Sequence, residues 1–129
     1  MSINYDIVNN HYAASARGDV TAMFANVSEQ VEWTEMAGFP CAGMWVGPQA
    51  VMDKVFKVLG TAWQGYRFAL ESLVDAGDVI VGIGTYSGTY RATGKAMQAR
   101  VAHVWRLESG KVVKFEQFTD TLLVAHAMR

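Results

Sequence analysis

VIVGIGTYSGTY (79–90), MQARVAHVWRL (97–107) and VVKFEQF (112–118) form the stretch whose reading decides the fold. Each run is rich in β-branched and aromatic residues. They are separated by Ala92-Thr-Gly-Lys95 and Glu108-Ser-Gly-Lys111, the turn chemistry that hairpins use. One run further upstream, Tyr66 to Asp75, is joined through Ala76-Gly-Asp78, so four consecutive strands form an antiparallel meander. Along the third of these, period-2 alternation puts Met97, Ala99, Val101, His103, Trp105 and Leu107 on one face. His103 therefore points inward with the apolar set. The opposite face carries Gln98, Arg100, Val104 and Arg106, interrupted by Ala102, and a face of that mixed character suits a second copy of the chain better than bulk water. A homodimer is expected.

Outward from the meander the grammar changes. From Ile3 to Arg17, Ile3, Ile7, Val8, Tyr12 and Ala16 recur at helical spacing, and Gly18-Asp19 supplies a stop followed by an N-cap for a short helix from Val20 to about Ala25. Val31 to Met36 alternates with Val31, Trp33 and Glu35 on one face, a first strand. Ala37 to Gly47, with three glycines and Pro40, reads as a loop. Pro48 opens a third helix, whose stripe is Val51, Val55, Phe56 and Leu59. Thr119 to Arg129 is a closing helix or tail. Long strands gathered after helices give an α+β class: one domain over 1–129, a curved, mainly antiparallel sheet covered by three helices from the N-terminal half.

Composition narrows the function. With 129 residues, 51% hydrophobic and 18% charged, the chain has an ample core for one domain and is not disordered. A formal charge of −1 with no basic block argues against nucleic acid. Cys41 is the only cysteine, so no intramolecular disulfide can form, as suits a reducing compartment. The first residues lack the layout of a signal peptide and no run reaches roughly 18 apolar residues, so a cytoplasmic protein without membrane partners is expected.

The order of elements, together with Tyr12-Ala-Ala-Ser-Ala-Arg-Gly-Asp19, Val31-Glu-Trp33, Gly43 to Gly47, Thr93-Gly-Lys95, His103-Val-Trp105, Ser109-Gly-Lys-Val112 and Phe118-Thr-Asp120, resembles the SnoaL-like branch of the nuclear transport factor 2-like superfamily, related to polyketide cyclases and ketosteroid isomerases. The resemblance covers essentially the whole chain. It implies a cone, a strongly bent sheet of cystatin-like type closed by helices around a deep apolar pocket. Function is less determined by it, because fold and chemistry are separable.

His103 falls, by the resemblance, where ketosteroid isomerases carry the acid that donates to an oxyanion, and a neutral imidazole can donate a hydrogen bond or pass a proton. The plainer account is a core histidine bonded to a tyrosine or to backbone. Asp120 matches the aspartate that ends the last strand in SnoaL-type cyclases. If Val113 and Phe115 face inward, however, Asp120 faces outward unless a bulge re-aims it, and capping the terminal helix is the alternative. Glu35 lies close to the position of an isomerase's proton shuttle, the exact position being taken by Trp33; beside apolar groups its pKa would rise toward one suited to proton transfer. A solvated carboxylate at a strand end is the duller reading. His11 and Tyr12 occupy the first-helix positions near a catalytic tyrosine in the resembled family. They, with Trp33, Phe56 and Trp105, are expected to line the ligand pocket.

Other motifs carry little. Gly82-Ile-Gly84 lies within a strand, not between strand and helix, and Gly94-Lys95 lacks Walker spacing, so no phosphate loop is read. His11, His103 and His126 come from distant elements, and neither a metal nor a cofactor is expected. Asn26-Val-Ser28 is a glycosylation pattern without meaning in a cytoplasmic chain. The expected function is a small-molecule pocket. It is either a cofactor-free isomerase, cyclase or dehydratase using acid–base chemistry on an apolar carbonyl or polyketide-like substrate, or a non-catalytic binding or carrier protein.

Overall fold

Three hairpins of the second half turn on glycines in the left-handed region, Gly77 (φ 81°), Gly94 (φ 72°) and Gly110 (φ 74°), which side-chain-bearing residues rarely adopt. The computed structural model describes residues 2–129. Strands β3 (Trp63–Ala76), β4 (Val79–Tyr90), β5 (Ala96–Glu108) and β6 (Lys111–Thr119) form the expected meander. The first strand, β1 (Val27–Glu35), begins four residues before the alternation suggests. A further strand, β2 (Gly43–Val46), lies in the segment read as loop. That segment's glycines hid it: Gly43 and Gly47 flank only three residues, too few for a hydrophobic period to register, and it is held by pairing Trp45 against Trp33. The sheet order is β2-β1-β6-β5-β4-β3, and β1 runs parallel to β6 within an otherwise antiparallel sheet.

Helix α1 (Ile3–Ala16) starts on Ser2, whose hydroxyl accepts the Tyr5 N–H, and stops at Gly18 (φ 73°). Asp19 caps α2 (Val20–Met23) by accepting from Ala22 N–H, as the sequence indicates. The third helical segment is longer than expected: α3 (Pro48–Val51) passes through a π-helical turn, Met52–Phe56, into α4 (Lys57–Ala62). Val51, Val55 and Leu59, spaced four apart, are buried along this segment while Phe56 packs against the core. The C-terminal segment is a helix, α5 (Thr121–Ala127).

Register shifts in β3 at Gln64/Arg67 and Leu70/Ser72, and between Arg106 and Leu107 opposite β6, bend the sheet. The last of these corrects the expected parity of β6. Arg106 pairs with Lys114 but Leu107 pairs with Val112, so Val113 bulges out and the buried residues are Val112, Phe115 and Gln117. Two rows of side chains therefore cross the concave face. Trp33, Phe115, Trp105 and Ile80 are matched across β1, β6, β5 and β4 as an apolar row. Gln117, His103 and Gly82 form a polar row beside it. No helix among the described residues is long and apolar enough to cross a membrane.

Candidate functional site

The concave face encloses a cavity of about 400 Å³ between the sheet and helices α1, α2 and α4. Its mouth is set by exposed Ser15, Gly18, Val20, Gly60 and Arg67. Its walls include Trp33, Phe56, Phe68, Trp105 and Phe115. Trp33 stacks on Phe115 with ring centroids 3.9 Å apart, and Trp105 meets both edge-on. His11, Tyr12, Trp33, Glu35, Phe56, His103 and Trp105 all line this cavity, so seven of the eight residues singled out from the sequence meet at one place.

Asp120 is the eighth and stands apart. It is exposed at the N-cap of α5, where its Oδ1 accepts the Leu123 N–H at 3.2 Å, so the capping alternative holds and the catalytic assignment is corrected. The bulge that re-aims β6 lies upstream at Val113. By Thr119 the strand is ending, with Thr119 Oγ1 donating to the Arg100 carbonyl.

His103 is buried in β5, and both of its ring nitrogens are occupied. Nδ1 lies 2.8 Å from the Tyr12 hydroxyl and Nε2 lies 2.7 Å from the Tyr86 hydroxyl. Tyr12 reaches it from α1 only because β4 carries glycine opposite. A Cβ on Gly82 would sit 2.3 Å from Tyr12 Oη. Burial pushes the His103 pKa down to about 3, with the nearby His11 adding to the effect, so the ring is neutral at physiological pH. His103 thus cannot itself touch a ligand's oxygen with a free nitrogen; it acts on the tyrosines. His11 is also neutral, its pKa lowered by burial to about 4, with Nδ1 2.9 Å from the Met23 carbonyl. It is a wall residue tied to backbone, and it also borders a smaller, separate cavity of about 260 Å³ beneath α2.

Glu35, at the end of β1, is 3% exposed. Burial lifts its pKa to about 8, against the opposing pull of Cys41 and Trp33 beside it. Its Oε1 receives the Cys41 thiol at 3.7 Å and Gln117 Nε2 at 3.4 Å, while Oε2 is buried without a partner. The duller reading, a solvated carboxylate, does not apply.

Residues missed from sequence complete the site. Gln117 accepts the Met36 N–H on Oε1, which turns its amide nitrogen toward Tyr86 Oη at 2.8 Å and toward Glu35. Tyr86 is buried on β4, and the Tyr66 hydroxyl, from β3, is buried without a partner. The ring centroids of Tyr66 and Tyr86 are 5.3 Å apart. Tyr86 was readable from parity with Ile80, Gly82 and Gly84. Gln117 was likewise readable from parity with Phe115, whereas Tyr66 was hidden by the irregular start of β3.

The family model for the SnoaL-like domain matches residues 8–115. An NTF2-like protein from Burkholderia thailandensis, solved by crystallography, is 57% identical, with 100% of this chain and 99% of that one covered and a TM-score of 0.97. An NTF2-like protein of unknown function from Burkholderia pseudomallei is 28% identical over 98% of each chain, with a TM-score of 0.90. TerC, co-crystallised with polyporic acid, shares the fold at 23% identity over 98% of each chain and a TM-score of 0.88. No curated protein matches significantly.

Proposed function

Because the chain belongs to the SnoaL-like domain family, we propose that its cavity binds an apolar small molecule carrying a carbonyl group and moves a proton on it by cofactor-free acid–base chemistry. The observation that carries this reading is Glu35: a buried carboxyl at the wall of an aromatic cavity, with one oxygen lacking any partner. With a pKa of about 8, Glu35 is largely neutral at pH 7 and about one molecule in ten is ionised, so both the acid and the base are at hand. In the ionised form Oε2 takes a proton from the carbon next to the carbonyl, and the C–H electron pair moves onto the carbonyl oxygen. The neutral form then returns the proton, at the same carbon or at a conjugated one. This is the elementary step of an isomerase or a cyclase. A fold neighbour's co-crystallisation with polyporic acid supports a small organic molecule as the occupant of such a cavity.

A carrier is the second reading, favoured by the closed hydrogen bonding of His103, which leaves one titrating carboxyl facing the ligand. The two are separated with 2-tetralone, a two-ring ketone with exchangeable α-protons. An enzyme accelerates its α-deuteration in heavy water, followed by proton NMR, and Glu35→Gln lowers that rate by roughly 10²-fold or more while affinity persists. Binding without acceleration by the unaltered protein defeats the catalytic reading and leaves the carrier.

A further inference from the structure

Hydrogen-bond directions through His103 are fixed by which partners can only donate. The indole Nε1–H of Trp105 donates to Tyr12 Oη at 2.8 Å. The remaining hydrogen-bond partner of Tyr12 Oη is His103 Nδ1, and the backbone of Gly82 closes the space beside it, so the Tyr12 O–H donates to Nδ1. The reverse arrangement leaves the Tyr12 proton with nowhere to turn, at about 1–3 kcal/mol, whereas this one leaves the unpaired proton on Tyr86, which can turn toward Tyr66 and Glu35 beside it. A neutral imidazole carries one proton, so it sits on Nε2 and is given to Tyr86 Oη. Tyr86 Oη also receives Gln117 Nε2, whose orientation the Met36 N–H sets. Tyr86 accordingly accepts twice, and its own proton has no acceptor among these partners. Next to it stand two further groups without partners, Tyr66 Oη and Glu35 Oε2.

We propose that the corner formed by Tyr86, Tyr66 and Glu35 is where the ligand's polar end docks, that this end is an acceptor oxygen of ketone or enolate type, and that the Trp105–Tyr12–His103 relay aims the Tyr86 proton at it. The assignment rests on the reading of the cavity as a small-molecule site and deepens it. It differs from what the family resemblance implied, which put the oxygen on His103. Two phenolic donors meet there beside the Glu35 carboxyl. An aromatic or alicyclic body fits the Trp33, Phe56 and Phe68 walls.

The experiment compares 2-tetralone with tetralin, the same body without the oxygen, by calorimetric titration of the full chain. Desolvating a carbonyl is unfavourable unless donors replace water, so a corner that donates binds the ketone more tightly than the hydrocarbon. Tyr86→Phe and Tyr66→Phe each cost the ketone up to about tenfold in affinity and leave tetralin unchanged. The carbonyl stretch of bound 2-tetralone moves to higher frequency in Tyr86→Phe and stays in place in Asp120→Ala, outside the cavity. Nitrogen-15 NMR of the unaltered protein, which needs no variant to fold, finds the His103 proton on Nε2. Equal ketone and hydrocarbon binding, a carbonyl stretch indifferent to Tyr86, or a proton on Nδ1 overturns the assignment while leaving the cavity reading intact. Failure of both probes to bind overturns the cavity reading and this assignment with it.

Discussion

Gly82 is the residue on which the site's geometry turns, although it contributes no functional group. It pairs with His103 across β4 and β5, and the missing side chain is what admits the Tyr12 hydroxyl. Gly82→Ala would place a methyl 2.3 Å from Tyr12 Oη, a distance that forces Tyr12 to swing away. Overpacking of this kind costs about 1–3 kcal/mol, and His103 Nδ1 also loses its donor. The expected result is a lower denaturant midpoint and, by nitrogen-15 NMR, a changed His103 signal. A variant with the midpoint and the histidine signal of the parent would contradict the contact. Gly84 is a comparable case: a Cβ there would lie 2.2 Å from the Ala69 carbonyl oxygen and 2.6 Å from Phe68. The Gly-Ile-Gly run in β4 is thus a device for close packing beneath the cavity.

At the scale of elements, α5 and the outer face of the sheet lie outside the cavity and should vary independently of it. Asp120 caps α5, and Thr93 Oγ1 donates to the Ala127 carbonyl at its other end. Asp120→Ala is expected to cost about 1 kcal/mol of stability by thermal or chemical denaturation, with ligand binding and α-proton exchange unaffected. A loss of exchange activity as large as that of Glu35→Gln would restore Asp120 to the site. On the convex face, Val81 opposes Val104 and Ile83 opposes Ala102, flanked by the Arg100–Glu71 ion pair and by Lys114 beside Glu32. We propose that a second copy of the chain covers this face, since half-buried aliphatics ringed by both signs of charge can pair with their own rotated image. Light scattering at micromolar concentration is expected to give twice the chain mass; the mass of a single chain would rule the pairing out.

For the whole molecule, three buried titrating groups set how stability depends on pH. His11 and His103 have folded pKa values of about 4 and about 3, below their ordinary 6.5, so between those values and 6.5 the unfolded chain binds protons that the folded one refuses. Stability therefore falls as pH drops through that window. Glu35 is the opposite case, raised from 4.5 to about 8; between these values the folded chain keeps a proton the unfolded chain has released, and stability falls as pH rises. Two histidines against one carboxyl balance at about pH 6.5, where each unfolded histidine is about half protonated. Denaturant midpoints measured from pH 4 to 9 are expected to peak there, and Glu35→Gln should abolish the decline between pH 7 and 8. A decline that persists in that variant would assign it to another group. The sequence alone determined the class and much of the cavity's lining, because period-2 alternation and glycine turns are local properties. They sufficed to send His103, Trp105, Trp33 and Glu35 to one face and to bring helices from the first half over it. Tertiary structure alone decided the roles. The bulge at Val113 turned Val112 inward, and the chain's return laid β1 parallel to β6, which set Glu35 beside Gln117 and Cys41. Whether His103 faces a ligand or two tyrosines depends on side chains 91 and 17 residues away in the chain, and no local pattern encodes a contact between groups that only folding brings together.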